Sequence, residues 1–323
     1  MKAAAYLALA AAAAACAAVL ILRLAFPRSR PALSIAVEAT PARLARGRYL
    51  FWNVAMCANC HSGRDESRYG MPVVAATAGG GGMLFDSRMG VPGEVFAGNI
   101  TPDRDTGIGA WTDGEILRTL REGVDRTGSP LFPIMPYHNY QRMGDEDAYS
   151  LVSYLRTLRP LARASSARHL AFPGSLLFRV APHPVDGAII APDDARDHLA
   201  YGKYVTTIAS CGDCHTPRNA LGFLDERRAL SGGWEMRGVW GRVVASNITP
   251  ATGTFVGRAS RAEFVGRFQS FAAIAARPPR AGPGRNTVMP WLAYSGMTER
   301  DLGAIYDYLR TVPPIVNRVE SLR

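Results

Sequence analysis

Cys57-Ala58-Asn59-Cys60-His61 and Cys211-Gly212-Asp213-Cys214-His215 are the two stretches from which the rest of the chain is read. In each, two cysteines stand three apart and a histidine follows the second directly. That spacing is the attachment signature of c-type haem. Two thiols add to the two vinyl groups of one porphyrin, and the neighbouring imidazole ligates the iron. A single copy is open to a redox dithiol reading; two copies, each with its own histidine, are not. The expected cofactors are therefore two covalently bound haem c groups, attached through Cys57 and Cys60 and through Cys211 and Cys214. His61 and His215 are the first iron ligands.

Moving outward, the chain repeats itself. A shift of 154 positions lays Cys57 on Cys211, His61 on His215, Met135 on Met289 and Tyr154 on Tyr308. Asn99-Ile100-Thr101-Pro102 recurs as Asn247-Ile248-Thr249-Pro250 at a shift of 148. The ends of the unit are held while its middle varies, as expected of a fixed site flanked by variable loops. Each unit reads as mainly helical. Thr40-Pro41 opens a helix toward the first cysteines, with a capping side chain and proline in the first turn. Leu199–Ile208 plays that part in the second unit. Thr112-Asp113-Gly114-Glu115 and Ser260-Arg261-Ala262-Glu263 are capping-box patterns. Last helices begin near Asp145 and Thr298 and end at prolines. The Pro-rich stretch between the units reads as a linker, and Gly79-Gly80-Gly81-Gly82 as a flexible loop. No Lys-Ser/Thr follows those glycines, so they do not cradle phosphate.

Each iron needs a second axial ligand. Met135 and Met289 each lie 74 residues after their histidine, and each precedes proline. A thioether opposite imidazole closes the site and raises its potential, which suits electron transfer. Methionine is also common core filler; the matched pair favours ligation. His138 competes in the first unit and has no counterpart in the second. His169, His183 and His198 read as surface histidines near the linker. Zinc on the four cysteines would leave both methionines unexplained. Asn99 and Asn247 have two readings of equal standing: loop turns, or hydrogen bonds to haem propionates. Trp111, Tyr137 and Trp291 are expected to pack the pockets.

The chain has 323 residues, 48% hydrophobic, with a formal charge of +10. Five cysteines leave none for a disulfide framework, because four belong to the haem motifs. Two haems bring about four propionate charges, so the loaded protein is less basic. Arginines are scattered without a dense basic run, which argues against nucleic acid. Ala3–Leu22 is uncharged and long enough to cross a bilayer. A cleavable signal is the rival reading, but the most apolar part, Val19-Leu20-Ile21-Leu22, comes last and favours an anchor. Arg23, Arg28 and Arg30 oppose the positive-inside tendency; haem attachment outside the cytoplasm overrules it. The sequence around Cys16 does not suit a lipoprotein anchor.

Gly98-Asn99-Ile100-Thr101-Pro102-Asp103, Thr106-Gly107-Ile108-Gly109-Ala110-Trp111-Thr112 and Ile134-Met135-Pro136-Tyr137 resemble the multi-haem cytochrome c subunits of bacterial membrane-bound alcohol, aldehyde and gluconate-type dehydrogenases. The resemblance covers about residues 41–315. It implies an all-α fold of two tandem class-I cytochrome c domains behind an N-terminal transmembrane or signal helix. The segments are 1–30 for the anchor or signal, 41–160 and 193–315 for the domains, and 161–192 for the linker. It also implies Met135 as distal ligand. The second unit lacks the Gly-Ile-Gly-x-Trp stretch, and the best-known members carry three haem units where this chain has two. The expected function is electron transfer from the catalytic subunit of a flavin, quinone or molybdenum dehydrogenase to quinone, a soluble cytochrome or a terminal oxidase. The expected place is the bacterial inner membrane, haem domains facing the periplasm, with no catalytic residues. The alternative is a dihaem enzyme acting at iron, of peroxidase or thiosulfate dehydrogenase type.

Overall fold

The computed structural model describes residues 2–219, 222–238, 240–282 and 285–319. Helix α1 (Lys2–Leu24) is apolar, exposed along its length, and long enough to cross a membrane. Its C-terminal end is tied down by Arg179, whose guanidinium donates to the carbonyls of Leu22, Arg23 and Phe26 at 3.2, 3.3 and 2.5 Å.

Helix α2 (Pro41–Tyr49) starts at a Thr40 cap and continues as a π-helical turn, Leu50–Val54. Met56 then adopts a left-handed backbone, φ 51°, and a separate turn, α3 (Cys57–Cys60), carries the first cysteines. Helices α4 (Asp113–Glu122), α5 (Tyr137–Tyr140) and α6 (Asp145–Leu155) complete the first half, and α7 (Gly174–Leu177) lies in the connecting stretch. The second half repeats the order. Helix α8 (His198–Ile208) precedes α9 (Cys211–His215), with Ser210 left-handed at φ 56°. Helices α10 (Phe255–Arg258), α11 (Arg261–Gln269), α12 (Ala272–Ala275), α13 (Trp291–Tyr294) and α14 (Glu299–Leu309) follow. Both capping boxes form as read, with Thr112–Glu115 and Ser260–Glu263 satisfying each other reciprocally.

The long contacts of each half are a crossing of its first and last helices, α2 on α6 and α8 on α14. Gly47 and Gly202 make those crossings close. A β-carbon at Gly47 would stand 1.9 Å from the Ser150 carbonyl oxygen, and one at Gly202 would stand 2.1 Å from that of Ala304. The buried cluster is continuous through both halves, joining Phe51, Leu151 and Val152 to Ile208, Leu302 and Leu309. The fold is thus mostly helical, with an N-terminal apolar helix.

Four features depart from the sequence reading. Short antiparallel strands occur in the variable middles: β1 (Leu84–Phe85), β2 (Gly93–Phe96) and β3 (His169–Leu170) form one sheet, and β4 (Glu235–Gly238) pairs with β5 (Gly241–Val244). The Gly79–Gly82 run is not a flexible loop. Gly79, Gly80 and Gly81 are buried, and Gly81 donates to the His61 carbonyl at 2.9 Å. Its left-handed φ of 71° and the Gly98 carbonyl, 2.6 Å from where a β-carbon would lie, both demand glycine. The stretch read as linker lies along the first half: His169 and Leu170 pair with β2, and Ile189 accepts from the Asp145 amide. His198 is not a plain surface histidine either, since its ring bridges Asp194 and Asp307 at 2.5 and 2.7 Å.

Candidate haem sites

The left-handed residue before each Cys-Xaa-Xaa-Cys turn separates that turn from the preceding helix. For a non-glycine residue this conformation costs about 1–2 kcal/mol, and it recurs at equivalent positions, Met56 and Ser210. Each turn then closes on itself, with the His61 amide on the Cys57 carbonyl at 2.9 Å.

The two histidines are held alike. His61 Nδ1 lies 2.7 Å from the Gly98 carbonyl oxygen, and His215 Nδ1 lies 2.7 Å from that of Ser246. A carbonyl can only accept, so Nδ1 carries the proton and Nε2 keeps its lone pair for a metal. Burial pushes both imidazoles below their ordinary pKa against the pull of those carbonyls. Both rings line one cavity.

That cavity has a volume of about 2280 Å³. Single cofactor pockets span roughly 300–1,000 Å³, so there is room for two. Its wall contains all four motif cysteines, both motif histidines, Met135 and Met289. The cysteines are free thiols. Burial pushes Cys57, Cys211 and Cys214 up to about 12, and Cys60 also upward. Such thiols are neutral and apolar in character until modified. Trp111, Tyr137 and Trp291 line the same cavity. Among the described residues no three His, Cys, Asp or Glu side chains gather as a metal site of their own. A group that brings its own in-plane ligands, and needs from the protein only thiols, one imidazole and one thioether, fits this donor set.

His138 is directed elsewhere: its Nε2 is 2.9 Å from Asp213 Oδ1, inside the second motif. Asn139 joins it, reaching Asp213 and Ser210 at 3.1 Å. The chain after Met135 is therefore fastened to the second attachment turn. Asn99 and Asn247 are buried and their amides are spent on protein. Asn99 Nδ2 donates to the Leu161 and Arg163 carbonyls at 2.7 and 3.1 Å, and Asn247 Nδ2 to those of Ile315 and Asn317 at 2.8 and 3.3 Å.

Arg64 and Arg218 were missed by motif reading. Both line the cavity three residues after a motif histidine, and the 154-residue alignment that pairs the histidines also pairs them. Arg64 donates to the carbonyls of Asn59 and Gly70 at 2.8 and 3.0 Å, and to that of Met71. Arg218 stacks over Trp234 at 4.3 Å with its Nε unpartnered.

No family model matches the chain. It is 32% identical over 294 residues to the fructose dehydrogenase cytochrome subunit of Gluconobacter japonicus, covering 88% of this chain and 56% of that one. It is 35% identical over 216 residues to a diheme cytochrome c-type protein of Cereibacter sphaeroides, covering 64% of this chain and 67% of that one. The gluconate 2-dehydrogenase cytochrome c subunit of Pantoea cypripedii is 32% identical over 192 residues, 56% of this chain and 40% of that subunit. The chain thus spans little more than half the length of the fructose dehydrogenase subunit. Two attachment turns with carbonyl-fixed histidines in one cavity, and similarity over most of the sequence, agree: the chain belongs to the c-type cytochrome family that includes the cytochrome subunits of bacterial dehydrogenase complexes.

Proposed function

We propose that this chain is a dihaem electron carrier without catalytic residues of its own. It takes electrons from the catalytic subunit of a flavin, quinone or molybdenum dehydrogenase and hands them to quinone, a soluble cytochrome or a terminal oxidase. Its two units, 41–160 and 193–315, each hold one haem c and are joined by 161–192. Helix α1 holds them at the bacterial inner membrane, facing the periplasm. The observation that supports this reading is the twofold site: each motif histidine is fixed through Nδ1 by a carbonyl, and Met135 and Met289 line the same cavity.

Haem supplies reversible one-electron chemistry, and the chain supplies the rest. Cys57, Cys60, Cys211 and Cys214 bind the porphyrins, and His61 and His215 orient them. Met135 and Met289 would supply a thioether to each iron. The aromatic walls exclude water, and the free Nε of Arg218 suits a propionate of the second haem. If one imidazole and one thioether hold each iron, neither would be open to a substrate.

The test is substitution of each methionine by histidine in protein made by a host competent in cytochrome maturation. Wild-type protein carries two haems per chain that acid acetone does not extract. M135H and M289H each lower one midpoint potential, shift the visible spectrum and leave the other haem as it was. A methionine change that alters neither spectrum nor potential would show an iron with a different or exchangeable ligand, and would favour the enzyme reading.

A further inference from the structure

The Asn-Ile-Thr-Pro repeat has no role in the ligand set just described, yet it is kept in both halves. In each it begins one residue after the carbonyl that fixes the motif histidine: Gly98 before Asn99, Ser246 before Asn247. The asparagine side chain ties that point to the chain beyond the last helix, through the carbonyls of Leu161 and Arg163 or of Ile315 and Asn317. Its Oδ1 accepts from the threonine two residues on. Thr101 N and Oγ1 reach Asn99 at 3.0 and 2.7 Å, and Thr249 N and Oγ1 reach Asn247 at 2.9 and 2.8 Å. The threonine hydroxyls accept in turn from the Leu161 and Ile315 amides at 3.1 and 3.2 Å.

The loop is also pinned from the other side. Gly82 and Gly233 donate to the carbonyls of Ala97 and Ala245, and the Ile100 and Ile248 amides donate to Gly79 and Leu230. Gly81 and Gly232 bond the carbonyls of His61 and His215 themselves, at 2.9 and 2.6 Å. The histidine backbone and the carbonyl facing its ring are thus held in one closed set of bonds. All four Asn and Thr side chains are nearly or fully buried.

We propose that Asn99 and Asn247 are positioning residues for the haem irons. They act through the Gly98 and Ser246 carbonyls, setting the strength of the Nδ1 hydrogen bond and the ring orientation of His61 and His215. The inference rests on the haem reading above. A strong bond from Nδ1–H makes the imidazole a better donor and favours the oxidised iron. A slackened loop therefore raises the potential of the haem it serves, and only that one.

The experiment is spectroelectrochemistry and low-temperature electron paramagnetic resonance on the full-length dihaem protein. N247A raises the potential assigned to the second haem, identified by M289H, and moves the g-values of that low-spin iron; the first haem is unchanged. N99A does the converse. T249V keeps the asparagine but removes the hydroxyl's bonds to Asn247 Oδ1 and from the Ile315 amide, and gives a smaller shift of the same sign. It also serves if N247A fails to mature. Lower thermal stability with both potentials and g-values unmoved overturns the proposal and leaves a purely structural asparagine. A moved potential with unmoved g-values also overturns it, since a propionate contact would act that way. A wild-type chain without two haems ends the proposed function and this inference together.

Discussion

His198 shows how one residue changes meaning once its neighbours are known. Its ring nitrogens meet Asp194 and Asp307, which also receive Arg300 and Arg261. Asp307 first, then Asp194, raises its pKa above the ordinary value of about 6.5. A group whose folded pKa is raised stabilises most when protonated in both states, so its contribution is full below about pH 6.5 and fades as pH climbs through the folded value. Wild-type thermal stability should therefore fall from pH 6.5 to 9 relative to His198→Gln, measured by circular dichroism. The site is partly exposed, so added salt should shrink the difference. The residues legible from sequence alone were those with fixed chemical spacing, the cysteines and histidines of the two motifs. A partner such as Asp307, brought in from α14, carries no local signal. Gly81 and Gly232 were equally hidden, because their role lies in what approaches them.

At the scale of the element, the two helix crossings set an intrinsic preference against a packing constraint. Alanine is favoured over glycine inside a helix by about 1 kcal/mol. At Gly47 and Gly202 a methyl group would land within 2.1 Å of a carbonyl oxygen on the facing helix. Forcing extra volume into such a contact costs about 1–3 kcal/mol or more, and backbone, unlike a side chain, has no rotamer to give way. Gly47→Ala and Gly202→Ala should each lower unfolding free energy by about 2 kcal/mol in urea titration. A gain would mean that the helices do not cross there. Helix starts were readable, because caps are local: Thr40, Thr112, Ser260 and Thr298 all cap as their patterns imply. The strands β1 to β5 were not, because pairs this short are held by the loops around them rather than by alternation of their own residues.

Across the whole molecule, the halves grip each other reciprocally. Tyr49 of the first half donates to Asp301 of the second at 2.6 Å, and Tyr204 of the second donates to Asp147 of the first at 2.6 Å. Each tyrosine oxygen accepts an amide of the opposite half, Thr298 at 3.0 Å and Gly144 at 3.2 Å. Asp147 also has the Arg46 fork, at 2.7 and 2.8 Å, whereas among the described residues Asp301 has only the Tyr201 hydroxyl beside Tyr49. Tyr49→Phe therefore leaves the poorer partner set and should cost more than Tyr204→Phe, within the roughly 1–3 kcal/mol range for a buried group losing a bond. In the wild type carrying the two proposed haems, far-ultraviolet dichroism and the absorption of both should report one unfolding transition. In the double variant the two haem signals should separate. The repeat itself was visible in the sequence; that its copies share one buried core and one cavity was not, since no motif encodes a surface between them.

Because residue i of one copy meets residue j of the other and j meets i, this contact has the form of an isologous dimer interface. A single-unit ancestor with those tyrosines and aspartates would have paired with itself at a concentration-dependent cost. Fusion through one strap of chain replaces that dependence with a fixed effective concentration. It also frees the two faces to diverge, as they have where Arg46 stands against Asp147 and Tyr201 against Asp301.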